Sequence, residues 1–347
     1  MRINLNNKYV IGCHVMFYEI EIYKEYIKGL INLLENVNNI KNVYIDLCFN
    51  VSERIEKIDT SKITKDDLIE EFTVGVKKLE ELGFNRNNLK WKLITPEDDF
   101  YFHADYRRDL NYNYCKKVDY IMHGETDSFF PKEAFHALES LSRYTNKEKI
   151  FRYAVCFADR KMWDSSWDPL VHPKYIDHVF EDGPESHLNP NQAKSQMSIE
   201  DMNKINSEIQ QFDIDCINYP KIDGSCLVLS SDLIKFGVNI PKCLIYNDDH
   251  GLSIMAQKLC GKNYYQFIIK NLLKVHARRH PKKRLYVLNE DNSYSIGPKI
   301  NTFEQFRTLS NENIKMLQTT AQNKFFENHD FELYLKEVEK NEFKENK

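Results

Sequence analysis

No two cysteines in this chain are spaced as C-x-x-C, although eight are present: Cys13, Cys48, Cys115, Cys156, Cys216, Cys226, Cys243 and Cys260. Several sit inside apolar runs, where cysteine behaves as a small hydrophobe, so neither a zinc knuckle nor a disulfide framework is expected. Long apolar runs are missing too. Nowhere do about 18 apolar residues follow one another, the length a membrane-spanning helix needs. The opening M-R-I-N-L-N-N-K-Y-V lacks the apolar core and small-residue cleavage site of a signal peptide. The expectation is a reducing, cytoplasmic setting with no membrane span. Charge of one sign does not dominate: a net charge of −4 and a pI near 6.3 create no global field for a polyanion. Nucleic-acid binding would therefore rest on a local basic patch. A Gly-rich phosphate loop is also lacking near the first apolar run, where Gly12 stands alone.

What is present is enough apolar material for a full core: 42% of 347 residues. Tyr9 to Phe17 reads as a buried strand, and Ile22, Tyr26, Ile27, Leu30, Ile31 and Leu34 then fall on one helical face. Val43 to Phe49 is a second strand, followed by a charged amphipathic helix over 61–82 that stops at Gly83. Trp91 to Thr95 gives a third strand halted by Pro96, and a helix over Tyr106 to Cys115 leads to a fourth strand, Val118 to Met122. Pro131 then opens a helix with the stripe Ala134, Leu138 and Leu141. Such alternation predicts an α/β fold, a mixed and mainly parallel sheet flanked by helices.

The second half is less regular. Phe151 to Phe157 reads as a strand, but 158–222 is an irregular insertion carrying Trp163, Trp167, His172, His178 and His187, with one helix from Ser198 to about Gln211. Aromatic faces and polar tips suit an acceptor-binding lid, and equally a structural insertion that plugs its own small core. Ser225 to Ser230 is a strand, and Leu252, Met255 and Leu259 mark a helix. From 286 to the end the pattern is a helical extension, with Phe303, Phe306, Leu309, Ile314 and Leu317 in helical registers and a charged end expected to fray. The expected division is a catalytic unit over 1–285 and that extension over 286–347.

Two acidic groups stand out. Glu125 and Asp127 follow the fourth strand one residue apart, so a strand that persisted to 127 would point both carboxylates to one side. Mg²⁺ or Mn²⁺, hard ions that accept one or two carboxylates and complete their shell with water and phosphate oxygens, suit such a pair. The plain alternative is an exposed polar turn. Asp248 and Asp249 open the helix of Leu252, where the positive helix end stabilises carboxylates, so a capping role and a catalytic one are compatible there. The run Arg278-Arg-His-Pro-Lys-Lys-Arg284 is the one local basic patch: a solvated loop, a cover over phosphates, or a contact to a polyanion.

In order, these features resemble the nucleotide-sugar-dependent glycosyltransferases of the GT-A (Rossmann-like) fold, family 2 type, over roughly residues 8 to 285. The opening from Tyr9 to Phe49 is similar to that family's base-binding half. Ala104-Asp-Tyr-Arg-Arg-Asp-Leu-Asn111 resembles its A-R-N helix, and Glu125-Thr-Asp127 stands in place of D-x-D. Asp223-Gly-Ser with Asn247-Asp-Asp249 resembles the acceptor loop and the E-D pair. Leu273-Lys-Val-His276 resembles a strand that ends in a metal-binding histidine. Glu for Asp at 125, Asp for Glu at 248, and Asn50 where an aspartate often holds the base are the departures.

The resemblance implies that Asp127, Glu125 and His276 hold Mn²⁺ or Mg²⁺. It implies that Asn50, Arg107 and Arg108 line the nucleotide-sugar site, with Arg108 slightly preferred for the diphosphate. It also implies that Asp249, beside Asp248, deprotonates an acceptor hydroxyl in an inverting transfer. A UDP-sugar donor and a glycan or other hydroxyl-bearing acceptor follow from it. The rivals are a metal-dependent nucleotidyltransferase and a non-catalytic or nucleic-acid-directed module that uses 278–284.

Overall fold

The computed structural model describes residues 2–53, 56–95, 101–162, 165–175, 178–179, 197–217, 221–277, 282–288 and 301–319. The first strand, β1 (Tyr9–Met16), is buried along its whole length. It is followed by α1 (Ile20–Leu34), β2 (Val43–Asn50), α2 (Lys65–Glu81), β3 (Leu89–Ile94), α3 (His103–Tyr114) and β4 (Tyr120–Gly124). Then come β5 (Ser128–Phe129), α4 (Ala134–Glu148), β6 (Tyr153–Ala158), β7 (Lys161–Met162) and β8 (His178–Val179). The chain continues through α5 (Ile199–Asn206), β9 (Ile214–Cys216), β10 (Leu227–Ser230), α6 (Ser231–Lys235), α7 (Asp248–Cys260), β11 (Tyr265–Leu273), β12 (Val275–His276) and α8 (Asn301–Thr319).

Eight strands form one sheet in the order β3-β2-β1-β4-β10-β6-β11-β9. The pairs β1–β2, β2–β3, β1–β4 and β6–β11 are parallel, whereas β10 runs antiparallel between β4 and β6, and β9 antiparallel to β11. This is the mixed, mainly parallel α/β sheet that the alternation predicts. Two consequences place the site. Chain order reverses between β1 and β4, and ligands of open α/β sheets bind in the crevice beyond the carboxyl ends at such a switch. Because β10 is reversed, the loop that precedes it lies at the same sheet edge as the residues that follow β2, β4, β6 and β11.

Alternation along β1 divides the core. Tyr9, Ile11, Cys13 and Val15 pack with residues of α1, α2 and α4, while Val10 joins the opposite layer with Ala104, Tyr106 and Leu110 of α3. Full burial of a large apolar side chain is worth roughly 1.5–3 kcal/mol, so a strand buried on both faces anchors the fold. Gly12 serves this packing. A Cβ there would lie 2.3 Å from Leu110 Cδ2 and 2.7 Å from the Tyr106 hydroxyl, so only glycine lets α3 close on the sheet.

Local signals set the helix ends. Thr64 caps α2 through a reciprocal box with Asp67, which starts the helix at Lys65 rather than 61. Pro131 does not open the helix itself: it precedes a turn over residues 132 and 133, and α4 begins at Ala134, whose N–H donates to the Pro131 carbonyl at 2.9 Å. In α8, Ile314 and Leu317 are buried against the α7 layer, while Leu309 remains exposed. Of the expected insertion, Trp163 and His187 lie outside the described residues, as do Pro96 and 278–281. His172 is buried, and its Nδ1 accepts from the Lys174 backbone N–H. No described helix is long and apolar enough to cross a membrane.

Candidate active site

The acidic triplet is positioned by a turn and not by a continuing strand. β4 ends at Gly124, the Ser128 N–H donates to the Glu125 carbonyl at 3.0 Å, and the chain folds into β5. Simple alternation therefore stops before residue 127. The carboxylates still converge because β12 pairs with β5, setting His276 opposite Ser128, and the Ala277 N–H donates to the Asp127 carbonyl at 2.6 Å. One ligand atom each from Glu125, Asp127 and His276 lies within 4.8 Å of the others.

Arg107 ties this group to the second acidic pair. From α3 its guanidinium donates to Glu125 Oε1, to Asp248 Oδ2 and to the Gly224 carbonyl, each at 2.8 Å. Burial by itself would raise the Glu125 carboxyl, but the Arg107 charge, with help from His103 and His276, holds it well below the usual carboxylate range. Asp248 behaves alike: burial opposes ionisation and Arg107 wins. For Asp249 the balance reverses. Burial and then the Asp248 charge push its carboxyl up to about 6, against a backbone hydrogen bond from His250 and the more weakly felt Arg107 charge.

The loop before β10 must pass close to both groups. A Cβ at Gly224 would stand 3.1 Å from Arg107 Nη1 and 3.2 Å from Asp249 Oδ2, so any larger residue would make those side chains give by a few tenths of an ångström. Asn247, the residue before Asp248, has a left-handed backbone with φ of 58°, and its amide donates to Asn311 of α8 at 2.9 Å. α8 thus braces the turn that presents the aspartate pair.

A second acidic group, Asp159 and Asp223, shares His276. Here the Lys274 ammonium, fully buried, is already hydrogen-bonded to Asp223 and to the Ser225 hydroxyl and carbonyl, and lies 3.9 Å from Asp159. A protein cation occupies that place. Ser225 Oγ also sits 3.3 Å from His276 Nδ1, and the ring's Nε2 is 3.7 Å from Glu125 Oε2. Two carboxylates and an imidazole suit Mn²⁺ or Mg²⁺, and the lysine that reaches this group, Lys283, is partly exposed, whereas Lys274 is fully buried within the second group.

The other sequence candidates lie apart from this cluster. Arg108, one residue from Arg107 but turned around the helix, donates to the carbonyls of Ile240, Pro241 and Leu244 and to Asp105. Asn50, buried at the end of β2, donates to the Tyr101 carbonyl at 2.9 Å, accepts from Ser52 N–H at 3.0 Å and faces His14 Nε2 at 3.4 Å. It stands at the crevice edge but is committed to protein partners. Of the basic run, Lys283 bridges Asp127 at 3.0 Å and Glu19 at 2.9 Å, and Arg284 pairs with Glu56. Lys274 and Asp159 stand beside the candidate site although the periodicity of the sequence does not reveal them; their only signal is a charge inside or just beyond an apolar strand. Lys283 is marked in the sequence only as a member of the basic run.

No family model matches the chain, and no curated protein matches it. Among solved structures, S. aureus TarS 1-349 is similar with 9% identity and a TM-score of 0.38, over 78% of this chain and 60% of that one. A mycobacterial protein has 9% identity and a TM-score of 0.37, over 78% of this chain and 67% of that one. UDP-glucose pyrophosphorylase complexed with UDP-glucose has 8% identity and a TM-score of 0.32, over 89% of this chain and 99% of that one. The chain thus spans about three fifths of the TarS structure's length.

Proposed function

We propose that this protein is a divalent-cation-dependent glycosyltransferase that moves a sugar from a nucleoside-diphosphate sugar, a UDP-sugar in the first instance, to an acceptor hydroxyl with inversion. The observation that carries this reading is Arg107, whose guanidinium binds Glu125 of a cation-ready group, Glu125, Asp127 and His276, and also Asp248, the residue beside the proposed base Asp249, near the switch point of the sheet.

Glycosyl transfer by direct displacement needs two separate provisions: charge stabilisation at the leaving diphosphate and a base beside the attacking hydroxyl. Held by Glu125, Asp127 and His276, Mn²⁺ or Mg²⁺ would supply Lewis-acid stabilisation of that diphosphate. Arg107 keeps Glu125 and Asp248 ionised while it adds positive charge to the cleft. Asp249, with a carboxyl near 6, is ionised at neutral pH yet basic enough to take a proton from the hydroxyl as the bond to carbon forms. Gly224 leaves room for the acceptor loop to bring that hydroxyl to Asp249.

A panel of sugar nucleotides, each examined by thermal shift with and without Mn²⁺, tests the reading. A donor that binds only the native state raises the melting temperature. The expected result is a shift for at least one sugar nucleotide that requires Mn²⁺ and disappears in Asp127→Ala. No shift across the panel would refute it.

A further inference from the structure

The segment 282–288 runs beside the acidic cluster as a strap. The Arg284 N–H donates to the Tyr18 carbonyl at 2.8 Å, its guanidinium pairs with Glu56, and it lies 5.7 Å from the Tyr18 ring. Val287 bridges Ile58, the Leu288 N–H donates to the Lys57 carbonyl at 2.8 Å, and the Tyr286 hydroxyl donates to Glu21 at 2.8 Å. Arg284 itself holds a left-handed φ of 73°, a conformation that a non-glycine residue keeps only when its surroundings impose it. The strap is therefore fastened on the β1 and β2 side, and its neighbouring residue, Lys283, reaches into the acidic cluster.

We propose that Lys283 is a built-in counter-ion for Asp127: it competes with a divalent cation for that carboxylate and, once displaced, contacts the phosphates of the donor. The geometry supports both halves. Lys283 Nζ donates to Asp127 Oδ2 at 3.0 Å, and Asp127 is a member of the Glu125, Asp127 and His276 group, so a cation and the ammonium compete for the same carboxylate. Its second partner, Glu19, sits on the turn after β1 and also accepts from the Thr126 hydroxyl at 2.7 Å. The ammonium is therefore held over the cluster even when Asp127 is lost to it. The side chain is 25% exposed, which leaves it access to an incoming anion. An ammonium released beside a bound diphosphate gains charge-assisted hydrogen bonds there.

This inference rests on the cation site proposed above, and the experiment separates the two. Mn²⁺ binding without nucleotide is measured from the free-ion paramagnetic resonance signal, and binding of UDP at saturating Mn²⁺ by calorimetry, for the wild type, Lys283→Met and Lys283→Arg. A hydrogen bond to a charged group is worth roughly a factor of ten in binding. Lys283→Met should therefore bind Mn²⁺ about ten-fold tighter and UDP about ten-fold weaker, while Lys283→Arg stays near the wild type in both. Opposite signs in one variant are not produced by loosened structure, which weakens both. Should Lys283→Met fail to fold, Glu19→Gln gives a second test: it leaves the ammonium to Asp127 alone, so Mn²⁺ binding should weaken. Unchanged or weaker Mn²⁺ binding in a folded Lys283→Met, beside a wild type that binds, overturns the counter-ion role alone. If neither protein binds Mn²⁺, the cation site falls and this inference with it.

Discussion

Arg107 Nη1 lies 2.8 Å from Asp248 Oδ2, and the other terminal nitrogen of the same guanidinium lies 2.8 Å from Glu125 Oε1. One cation thus bridges two elements that are 123 residues apart in sequence, as the difference between 248 and 125 gives. Its side chain is 3% exposed, so both contacts are sheltered from salt and water.

Replacing Arg107 by Met keeps much of the volume but strands two carboxylates. Removal of one partner from a buried ion pair costs about 3–5 kcal/mol, because the remaining charge is left unpaired. Arg107→Met should lose about that much stability in urea unfolding at neutral pH, and part of the loss should return in acid, where Glu125 and Asp248 become protonated. Both folded pKa values are depressed, so the stability they contribute is present above the unfolded value and fades as pH falls. A variant as stable as the wild type would show that the pair is not a support.

Asp249 gives the opposite sign. Its folded pKa, about 6, stands above the 3.8 of an unperturbed aspartate, so its contribution to stability is full below the unfolded value and is lost as pH rises through 6. Asp249→Asn should be more stable than the wild type at pH 7, on the order of 1–3 kcal/mol, the lower figure applying because the carboxyl is only partly covered. The same variant should bind sugar nucleotide normally and lose transfer by roughly 10²–10⁴-fold, the usual worth of a general base. The wild-type kcat/KM should fall on the acid side near pH 6. A variant that loses donor binding in parallel with transfer would remove Asp249 from the base role.

Much of this arrangement is readable in the sequence. Tyr9 to Phe17 and Val43 to Phe49 are apolar runs that β1 and β2 match, β1 stopping one residue short at Met16, and the helical stripe of Ile22, Tyr26 and Leu30 is the buried face of α1. Asp248 and Asp249 mark a helix start through their preference for its positive end. What local pattern cannot carry is pairing over distance. That β10 enters between β4 and β6 in reverse depends on contacts no window contains, yet it decides that Gly224 meets Arg107. Arg107 and Arg108 are one residue apart and chemically alike, and only tertiary structure sends one to Glu125 and the other to the Ile240 carbonyl. Lys274 and Lys283 look like solvent residues because the charges that pair with them come from other strands and turns.

Asp127→Ala should abolish Mn²⁺ binding measured by paramagnetic resonance and reduce turnover by several orders of magnitude, since in the proposed reaction that cation would stabilise the leaving diphosphate. The Lys283 ammonium would lose one partner and keep Glu19, so the melting temperature should change little. Turnover that survives without Mn²⁺ in this variant would mean that Arg107 and Lys283 supply the charge by themselves.

Lys274→Met separates the second acidic group from the first. The ammonium is buried, and its loss leaves Asp223 and Asp159 without their shared cation, which should cost about 3–5 kcal/mol. The catalytic consequence runs through Ser225, which both receives the Lys274 ammonium and lies against His276 Nδ1. Loosening Ser225 frees the imidazole to turn, and a cation ligand that is no longer oriented typically costs 10–100-fold in metal affinity. Lys274→Met at low temperature, where it remains folded by circular dichroism, should therefore bind Mn²⁺ that much more weakly, and Lys274→Arg should recover part of the loss by restoring the charge. Equal Mn²⁺ affinity in the folded Met variant would show that Lys274 supports only the sheet edge and that His276 is held in place by β12 alone.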